Sequence, residues 1–372
     1  MEYRRLGDSE LRVSVVGLGT LALGGRSYRA VSEEMALATV QRTVDLGINF
    51  IDTSDNYGFG RAEVLIGQAI RGRRDDVLIA TKGGTPWDKE GRTAIDCSAA
   101  AITEGVEASL RRLGTDWIDL YQIHVPDPET PYEETVGALE RLKEAGKIRY
   151  AGLSNFWVEE LDAWLAADGV VSNQMPYNFL HRDIEAELLP YCRQRSVGVI
   201  AYTPLLMGVF AGRISPETVF AEGDHRASYP QFQGRPLRDS LALVARLQSL
   251  AADTGLTMAQ LALSWVVSRP GITCAIPGAT SPEQVEENAV AGERSLAADL
   301  MERIDRLLAD TQVETPRTIP MKVVEIKEPA GRRLGIMEIG LKVPVPSDTR
   351  AGDVVEMDIV TGQVSEWVGE AN

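Results

Sequence analysis

Three stretches decide how this chain is read: INFIDTSDNYG at residues 48–58, DVLIATKGG at 76–84 and WIDLYQIHVPD at 117–127. Each opens on an apolar, strand-like run and ends on reactive side chains. The first carries Asp52 and Tyr57, the second Lys82 and the third His124. A lysine beside a tyrosine is a direct way to make a phenol useful as an acid near neutral pH. Proton transfer is therefore expected at the mouth of a parallel β-structure.

Outward from these runs the same rhythm continues. Strands are predicted at Val15–Gly19, Ile48–Ile51, Val77–Thr81, Trp117–Ile123, Tyr150–Leu153, Val170–Asn173, Val197–Tyr202 and Thr273–Ile276. Helical segments between them include Glu33–Leu46, Ala99–Arg112, Glu133–Ala145, Val158–Ala167 and Glu185–Arg195. Eight βα units in about 300 residues give the profile of an α/β (β/α)8 TIM barrel, with a doubly wound sheet as the competitor. The barrel reading demands reactive groups at strand C-termini, because those loops build the active face. Asp52, Lys82, His124, Ser154, Asn155, Gln174, Tyr202 and Pro277–Gly278 all fall there. Met1–Val16 alternates around LGDSE as an N-terminal β-hairpin does.

Two long segments interrupt the rhythm. Leu205–Leu237, which includes SYPQFQGRP, reads as a loop over the active face, since loops this long are usually functional. After about Thr311, VETPRTIP reads as a linker, followed by MKVVEIKE, LGIMEIGLKV and VVEMDIV in a β-rich pattern. The expected organisation is a barrel over 1–311, a linker over 312–320 and a small C-terminal β-rich module over 321–372. A unit that small buries little apolar surface alone, so it is expected to dock on the barrel or on a partner chain.

Composition sets outer limits. The formal net charge of −16 over 372 residues, with scattered Lys and Arg, speaks against nucleic-acid binding. No apolar run is long enough for a spanning helix, and the N-terminus lacks a secretory h-region. Cys97, Cys192 and Cys274 form neither a disulfide framework nor a metal pattern. A cytoplasmic protein without a metal centre or membrane contact is expected.

Eight motifs, in order GLGTL, DTSDNYG, TKGG, QIHVPD, GLSNF, NQMPYN, AYTPL and IPGATSPEQVEEN, resemble the aldo-keto reductases from the hairpin to about Leu308. AEGDHR resembles the inositol- and sugar-linked subgroup. The resemblance implies an NAD(P)H-dependent oxidoreductase that moves a hydride between nicotinamide and an aldehyde, ketone or sugar/polyol-type substrate. Tyr57 would be the general acid for the carbonyl oxygen, and His124 would hydrogen-bond and orient that oxygen. Lys82 would tune Tyr57, and Asp52 would hold Lys82 in place and charged. An ammonium about 4 Å from a phenol contributes roughly 4 kcal/mol at an effective dielectric near 20, which alone takes its pKa from about 10 to about 7. Desolvation opposes this, so the net lowering is expected to be smaller.

By the same resemblance Ser154, Asn155 and Gln174 would grip the nicotinamide carboxamide, and the Tyr202 ring would stack on the nicotinamide. Asn155 reads equally as an N-cap for Phe156–Ala167, and Tyr202 also reads as core. Thr20 and Leu21 join the cofactor site, with Thr203, Leu205 and Met207 of one loop and Gly278, Thr280, Gln284 and Asn288 of another. Ser281 with Pro282 and Gln284 also makes a good helix start, and helix starts bind phosphate. Between Pro277 and Asn288 no Arg or Lys is available for a 2′-phosphate, while Glu283, Glu286 and Glu287 are present. The resemblance implies NADP(H); this segment weakens that preference and keeps NAD(H) open. Leu206 and Met207 stand where small or polar residues are frequent, so either a looser pyrophosphate contact or a differently shaped pocket is expected. The substrate rim is expected to include Tyr28, Trp87 and Phe156, with Phe59 and Trp157. The alternative is a cofactor-binding regulatory or partner subunit docked through residues 321–372; the same module could serve as a lid or a homo-oligomer interface.

Overall fold

The computed structural model describes residues 1–25, 31–88, 93–167, 169–221, 223–293, 295–311, 313, 318–327, 334–337, 342–344, 349, 353–358 and 364–370. The chain opens with β1 (Tyr3–Arg5) and β2 (Arg12–Ser14), an antiparallel hairpin in which Tyr3 pairs with Ser14. Eight parallel strands follow: β3 (Leu18–Gly19), β4 (Phe50–Asp52), β5 (Leu78–Gly83), β6 (Ile118–Ile123), β7 (Ile148–Ser154), β8 (Ser172–Pro176), β9 (Gly198–Tyr202) and β10 (Ile272–Ala275). Each pairs with its neighbour in sequence, and bridges Val16↔Ala275 and Gly19↔Gly278 join the two edges. A closed (β/α)8 barrel results.

The crossovers carry α1 (Glu33–Asp45), α2 (Arg61–Ala69), α3 (Ala99–Leu113), α4 (Tyr132–Glu144), α5 (Val158–Ala166) and α6 (Leu188–Gln194). The last units add α7 (Gly234–Thr254), α8 (Met258–Ser268), α9 (Pro282–Ala289) and α10 (Ala298–Ala309). Local chemistry sets their ends. Ser32 and Ser98 accept from Met35 and Ala101 backbone N–H, and Thr257 with Gln260 forms a full capping box on α8. Gly114, in the left-handed region, stops α3. Among the described residues no single helix is long and apolar enough to cross a membrane.

Inside the barrel, Phe50, Ala80, Leu120, Ile200, Cys274 and Ile276 pack with Leu6, Leu11 and Val13 of the hairpin. The hairpin plugs the N-terminal ends of the strands. Gly7 turns there with φ +55°, and a Cβ on it would stand 2.0 Å from the Val171 carbonyl oxygen, so only glycine fits. Towards the C-terminal ends the filling changes from apolar to polar, with Asp52, Lys82, Gln122 and Gln174 all buried. These polar groups thus lie towards the mouth opposite the apolar plug.

The segment expected as a loop over the active face, Leu205–Leu237, holds short 3-10 turns at Leu206–Ala211, His225–Ala227 and Pro230–Phe232 before α7 begins at Gly234. Beyond α10 a separate antiparallel sheet is built from β11 (Thr318–Lys327), β12 (Leu334–Met337), β13 (Lys342–Pro344), β14 (Asp353–Asp358) and β15 (Val364–Glu370). Its order is β13-β12-β11-β14-β15. Strand β11 starts at Thr318, inside the stretch expected as linker, and β15 had no counterpart among the expected strands.

Strand β5 delivers Lys82 to the mouth, and its end is closely packed. A Cβ on Gly83 would stand 1.8 Å from Tyr121 Oη on β6, itself fully buried. Gly83→Ala is expected to lower the unfolding free energy by about 1–3 kcal/mol through overpacking, and to reduce turnover by displacing Lys82. Urea denaturation reads the first effect; a wild-type midpoint would show that β5 and β6 can separate freely.

Candidate active site

Asp52 ends β4, Tyr57 lies in the loop behind it, Lys82 stands near the end of β5 and His124 follows β6. The ammonium of Lys82 donates to Asp52 Oδ1 at 2.6 Å, to the Thr53 carbonyl at 2.9 Å and to Tyr57 Oη at 3.1 Å. Its three donors are thereby used, so Tyr57 accepts from Lys82 and turns its own O–H elsewhere. Asp52 Oδ2 accepts two amides, Gln174 Nε2 at 2.8 Å and Gln122 Nε2 at 3.1 Å. Gln122 was not anticipated. Its signal was the period-two alternation of β6, which turns residue 122 inward with Leu120.

Lys82 and Asp52 are each 1% exposed, a burial that charges tolerate only when paired and hydrogen-bonded. Burial works against the Lys82 charge, but Asp52 and Tyr57 outweigh it, and the pKa is raised. The expected lowering of Tyr57 is corrected by the structure. Burial of the phenol is the largest influence and exceeds the attraction of Lys82, so its pKa is raised. His124 is lowered to about 3, by burial first and then by Lys82. Near neutral pH the free protein thus holds a neutral phenol, a neutral imidazole and an ammonium.

Asp52, Tyr57 and His124 face a cavity of about 1380 Å³, larger than the roughly 300–1,000 Å³ of ordinary small-molecule sites. Thr20 and Leu21 line one side, Ser154, Asn155, Gln174 and Tyr202 the floor, and Thr203, Leu205 and Met207 the overhanging loop. Gly278, Thr280, Gln284 and Asn288 line the far end. Asn155, at φ +67°, is not an N-cap: α5 starts at Val158, and Glu160 accepts the Trp157 N–H instead. The Asn155 amide donates to the His124 carbonyl at 3.0 Å and accepts from Tyr202 Oη at 2.8 Å, fixing the tyrosine ring. Gln284 accepts from the Thr280 N–H at 3.0 Å, while Ser281 makes no side-chain cap, so the expected capping box is replaced by a link one residue earlier.

Residues 15–309 match the aldo/keto reductase family. The chain belongs to that family. The NADH-specific methylglyoxal reductase of Escherichia coli is 33% identical over 323 residues, 81% of this chain and 98% of that protein. Among solved structures, the glycerol dehydrogenase of Gluconobacter oxydans matches with TM-score 0.78 and 33% identity, covering 84% and 97% of the two chains. An aldo/keto reductase of Klebsiella pneumoniae, in complex with NADP and acetate, matches with TM-score 0.66 and 33% identity over 84% and 98%.

In this aldo/keto reductase the aromatic rim differs from expectation. Phe156 is 2% exposed and packs edge-on against Trp164 at 5.7 Å, a core position that follows from the turn into α5. Trp87 does not line the main cavity; its indole N–H donates to the Asp55 carbonyl and its ring tilts on Phe59. Tyr28 lies outside the described residues. The long loop instead contributes Arg213, Phe220, Asp224 and Arg226 to the cavity, and Ser32 and Met35 enter from the start of α1. Sequence pattern placed the loop over the site but could not say which of its side chains turn inward.

The raised phenol and lowered imidazole have a sign that can be checked. With a neutral phenol and a neutral imidazole in the free protein, neither Tyr57 nor His124 is expected to put a step in kcat for carbonyl reduction between about pH 5 and 9. Alcohol oxidation, if it draws on the Tyr57 phenolate, is expected to rise with pH across the same window. Tyr57→Phe should lower kcat by roughly 10²–10⁴ in both directions. Steady-state pH profiles read all three; burial also raises the Asp55 carboxyl to about 7, so an inflection near pH 6.5 in reduction that persists in Asp55→Asn would overturn the neutral-imidazole assignment.

Proposed function

We propose that this aldo/keto reductase interconverts a small aldehyde, ketone or polyol-type alcohol with its redox partner, using NADPH or NADH, through Tyr57 as proton donor and acceptor. The observation that carries it is the saturation of Lys82. With every ammonium hydrogen placed, the Tyr57 O–H is left to face the cavity beside His124. When bound, the reduced nicotinamide supplies the hydride. Tyr57 delivers a proton to the carbonyl oxygen, and the fixed Lys82 charge stabilises the phenolate left behind. His124 donates to the same oxygen and aligns it. Asp52, held by two glutamine amides, keeps Lys82 from moving as charge shifts.

The residues present fit a dinucleotide. Gln174 spends its amide nitrogen on Asp52 and Gln122, which leaves its carbonyl oxygen to accept from a carboxamide. Asn155 Oδ1 keeps a second lone pair beside the Tyr202 bond. Tyr202 offers a ring anchored at its hydroxyl as the platform for a flat heterocycle. The name of the Escherichia coli relative and the NADP of the Klebsiella structure support use of either nicotinamide. The names methylglyoxal reductase and glycerol dehydrogenase support small carbonyls and polyols as the substrate class.

The missing cation of segment 277–288 is supplied from elsewhere in the cavity wall. Arg213 of the long loop pairs with Glu287 at 2.5 Å, which tethers the loop to α9 and brings a guanidinium to that end. A 2′-phosphate can compete with Glu287 for it. Arg213→Ala is expected to raise KM for NADPH about tenfold and leave KM for NADH within about twofold. Initial rates at 340 nm with each cofactor read this; equal losses would assign Arg213 to loop anchoring alone.

A second reading rests on the β11–β15 sheet, which lies outside the family match. Residues 321–372, with the sheet starting at Thr318, would act as a docking module for a partner protein or a second copy, appended to a cytoplasmic barrel over 1–311. The three cysteines, buried and outside any disulfide, suit a reducing compartment. Truncation after Thr311 is expected to preserve NAD(P)H-dependent carbonyl turnover while changing the assembly state seen by light scattering. Loss of turnover with an intact fold would make the module part of the active enzyme.

A further inference from the structure

His124 stands edge-on to Tyr57, ring centroids 6.2 Å apart, and faces the cavity. Its two nitrogens meet different surroundings. Among the described residues Nε2 has no protein partner, whereas Nδ1 faces two hydroxyls, Ser54 Oγ at 3.3 Å and Thr85 Oγ1 at 3.4 Å. A neutral imidazole carries one proton, and the nitrogen that holds it is set by the hydrogen bond made at the other. With the proton on Nδ1, Nε2 would meet a carbonyl oxygen lone pair to lone pair. Donation to the carbonyl therefore needs a hydroxyl that donates to Nδ1.

Asn56 settles which hydroxyl does so. Its Oδ1 accepts from Ser54 Oγ at 3.0 Å, and its Nδ2 donates to Thr85 Oγ1 at 3.1 Å. The single Ser54 hydrogen has a further acceptor in Asp55 Oδ1 at 3.1 Å, so it is drawn away from His124. Thr85 is already an acceptor for Asn56, and among the described residues its own hydrogen meets one acceptor, His124 Nδ1. The reverse assignment would have Asn56 and His124 both donate to Thr85, stranding a buried hydroxyl hydrogen at an energetic cost.

We propose that Thr85, oriented by Asn56, is a positioning residue that holds His124 as its Nε2–H tautomer, while Asn56 and Asp55 keep the Ser54 hydrogen off Nδ1. The loop after β4 and the end of β5 thus select which face of the imidazole the substrate meets. The catalytic consequence rests on the reading of His124 as the group that contacts the carbonyl oxygen; the tautomer itself does not.

The chain has three histidines, so protein labelled with ¹⁵N-histidine gives a small set of ring signals, and His124→Phe assigns the one that matters. Two-bond ¹⁵N–¹H correlation near pH 7 is expected to show the Nε2–H form in the wild type. Thr85→Val, which keeps shape and removes the hydroxyl, should introduce the Nδ1–H form and lower kcat roughly 10- to 100-fold, with cofactor Kd nearly unchanged by fluorescence quenching. Thr85→Ser should restore both tautomer and kcat. An Nδ1–H wild type overturns the proposal outright, and that spectrum decides even if Thr85→Val does not fold. A Thr85→Val protein that keeps the Nε2–H form and its kcat overturns the role of Thr85. A Thr85-dependent Nε2–H form without carbonyl turnover by either cofactor supports the tautomer assignment and removes the functional reading instead.

Discussion

A buried ammonium organises this protein. Lys82 lies at the end of β5 with almost no solvent contact, and a charge placed there is tolerable only because three oxygens from the end of β4 and the loop behind it surround it. Those oxygens belong to Asp52, Thr53 and Tyr57, so holding Lys82 also holds the segment that carries the Tyr57 phenol. The demand propagates outward. Asp52 needs two amides from β6 and β8, and those amides close a polar layer across the barrel interior. Once Lys82 is satisfied, little freedom remains in where Tyr57 Oη can stand.

The barrel supplies the geometry that this charge requires. Parallel strands in sequential order bring the ends of β4, β5, β6 and β8 into one ring, although their residues lie as far apart as Asp52 and Gln174. The hairpin fills the opposite end with leucine and valine, so the polar layer has a dry floor. Low dielectric surroundings strengthen each hydrogen bond in that layer and raise the cost of an unmet one. The same burial pushes the phenol up and the imidazole down, and it makes both neutral near pH 7.

Over the mouth, the chain adopts conformations that side chains other than glycine seldom take. Thr203, Leu206 and Met207 all have φ between 43° and 48°. Such positions cost of order 1–3 kcal/mol each and persist where the surroundings over-determine them. The surroundings here include Asn178, which donates to the Thr203 carbonyl, and Arg226, which donates to the Met207 carbonyl. Anchored from both sides, the loop keeps its backbone turned over the cavity, with Arg213 tying its far part to α9.

Much of this was legible in the linear chain. Periodicity located the eight strands because a barrel strand is a short apolar run bounded by turn residues, and Asp52, Tyr57, Lys82 and His124 stood out because each interrupts such a run at its C-terminal end. Local sequence also carried the helix starts at Glu33 and Ala99, while the Ser32 and Ser98 caps that set them were seen only in the structure. The signs of the pKa shifts were not legible, since they depend on how completely the folded chain excludes water from Tyr57 and His124. Nor were Gln122, Arg213 or the Thr85–His124 contact, which join residues whose partners are tens of positions away. Phe156 shows the same limit from the other side: beside the cavity-lining Ser154 and Asn155, it points into the core because the turn before α5 directs it there. The sequence by itself determined the order of elements and the chemical inventory, because both are written in local pattern. Tertiary structure decided which of those groups meet, which face water and which carry a proton, because these are set by distance and burial, and no residue's neighbours in sequence contain either.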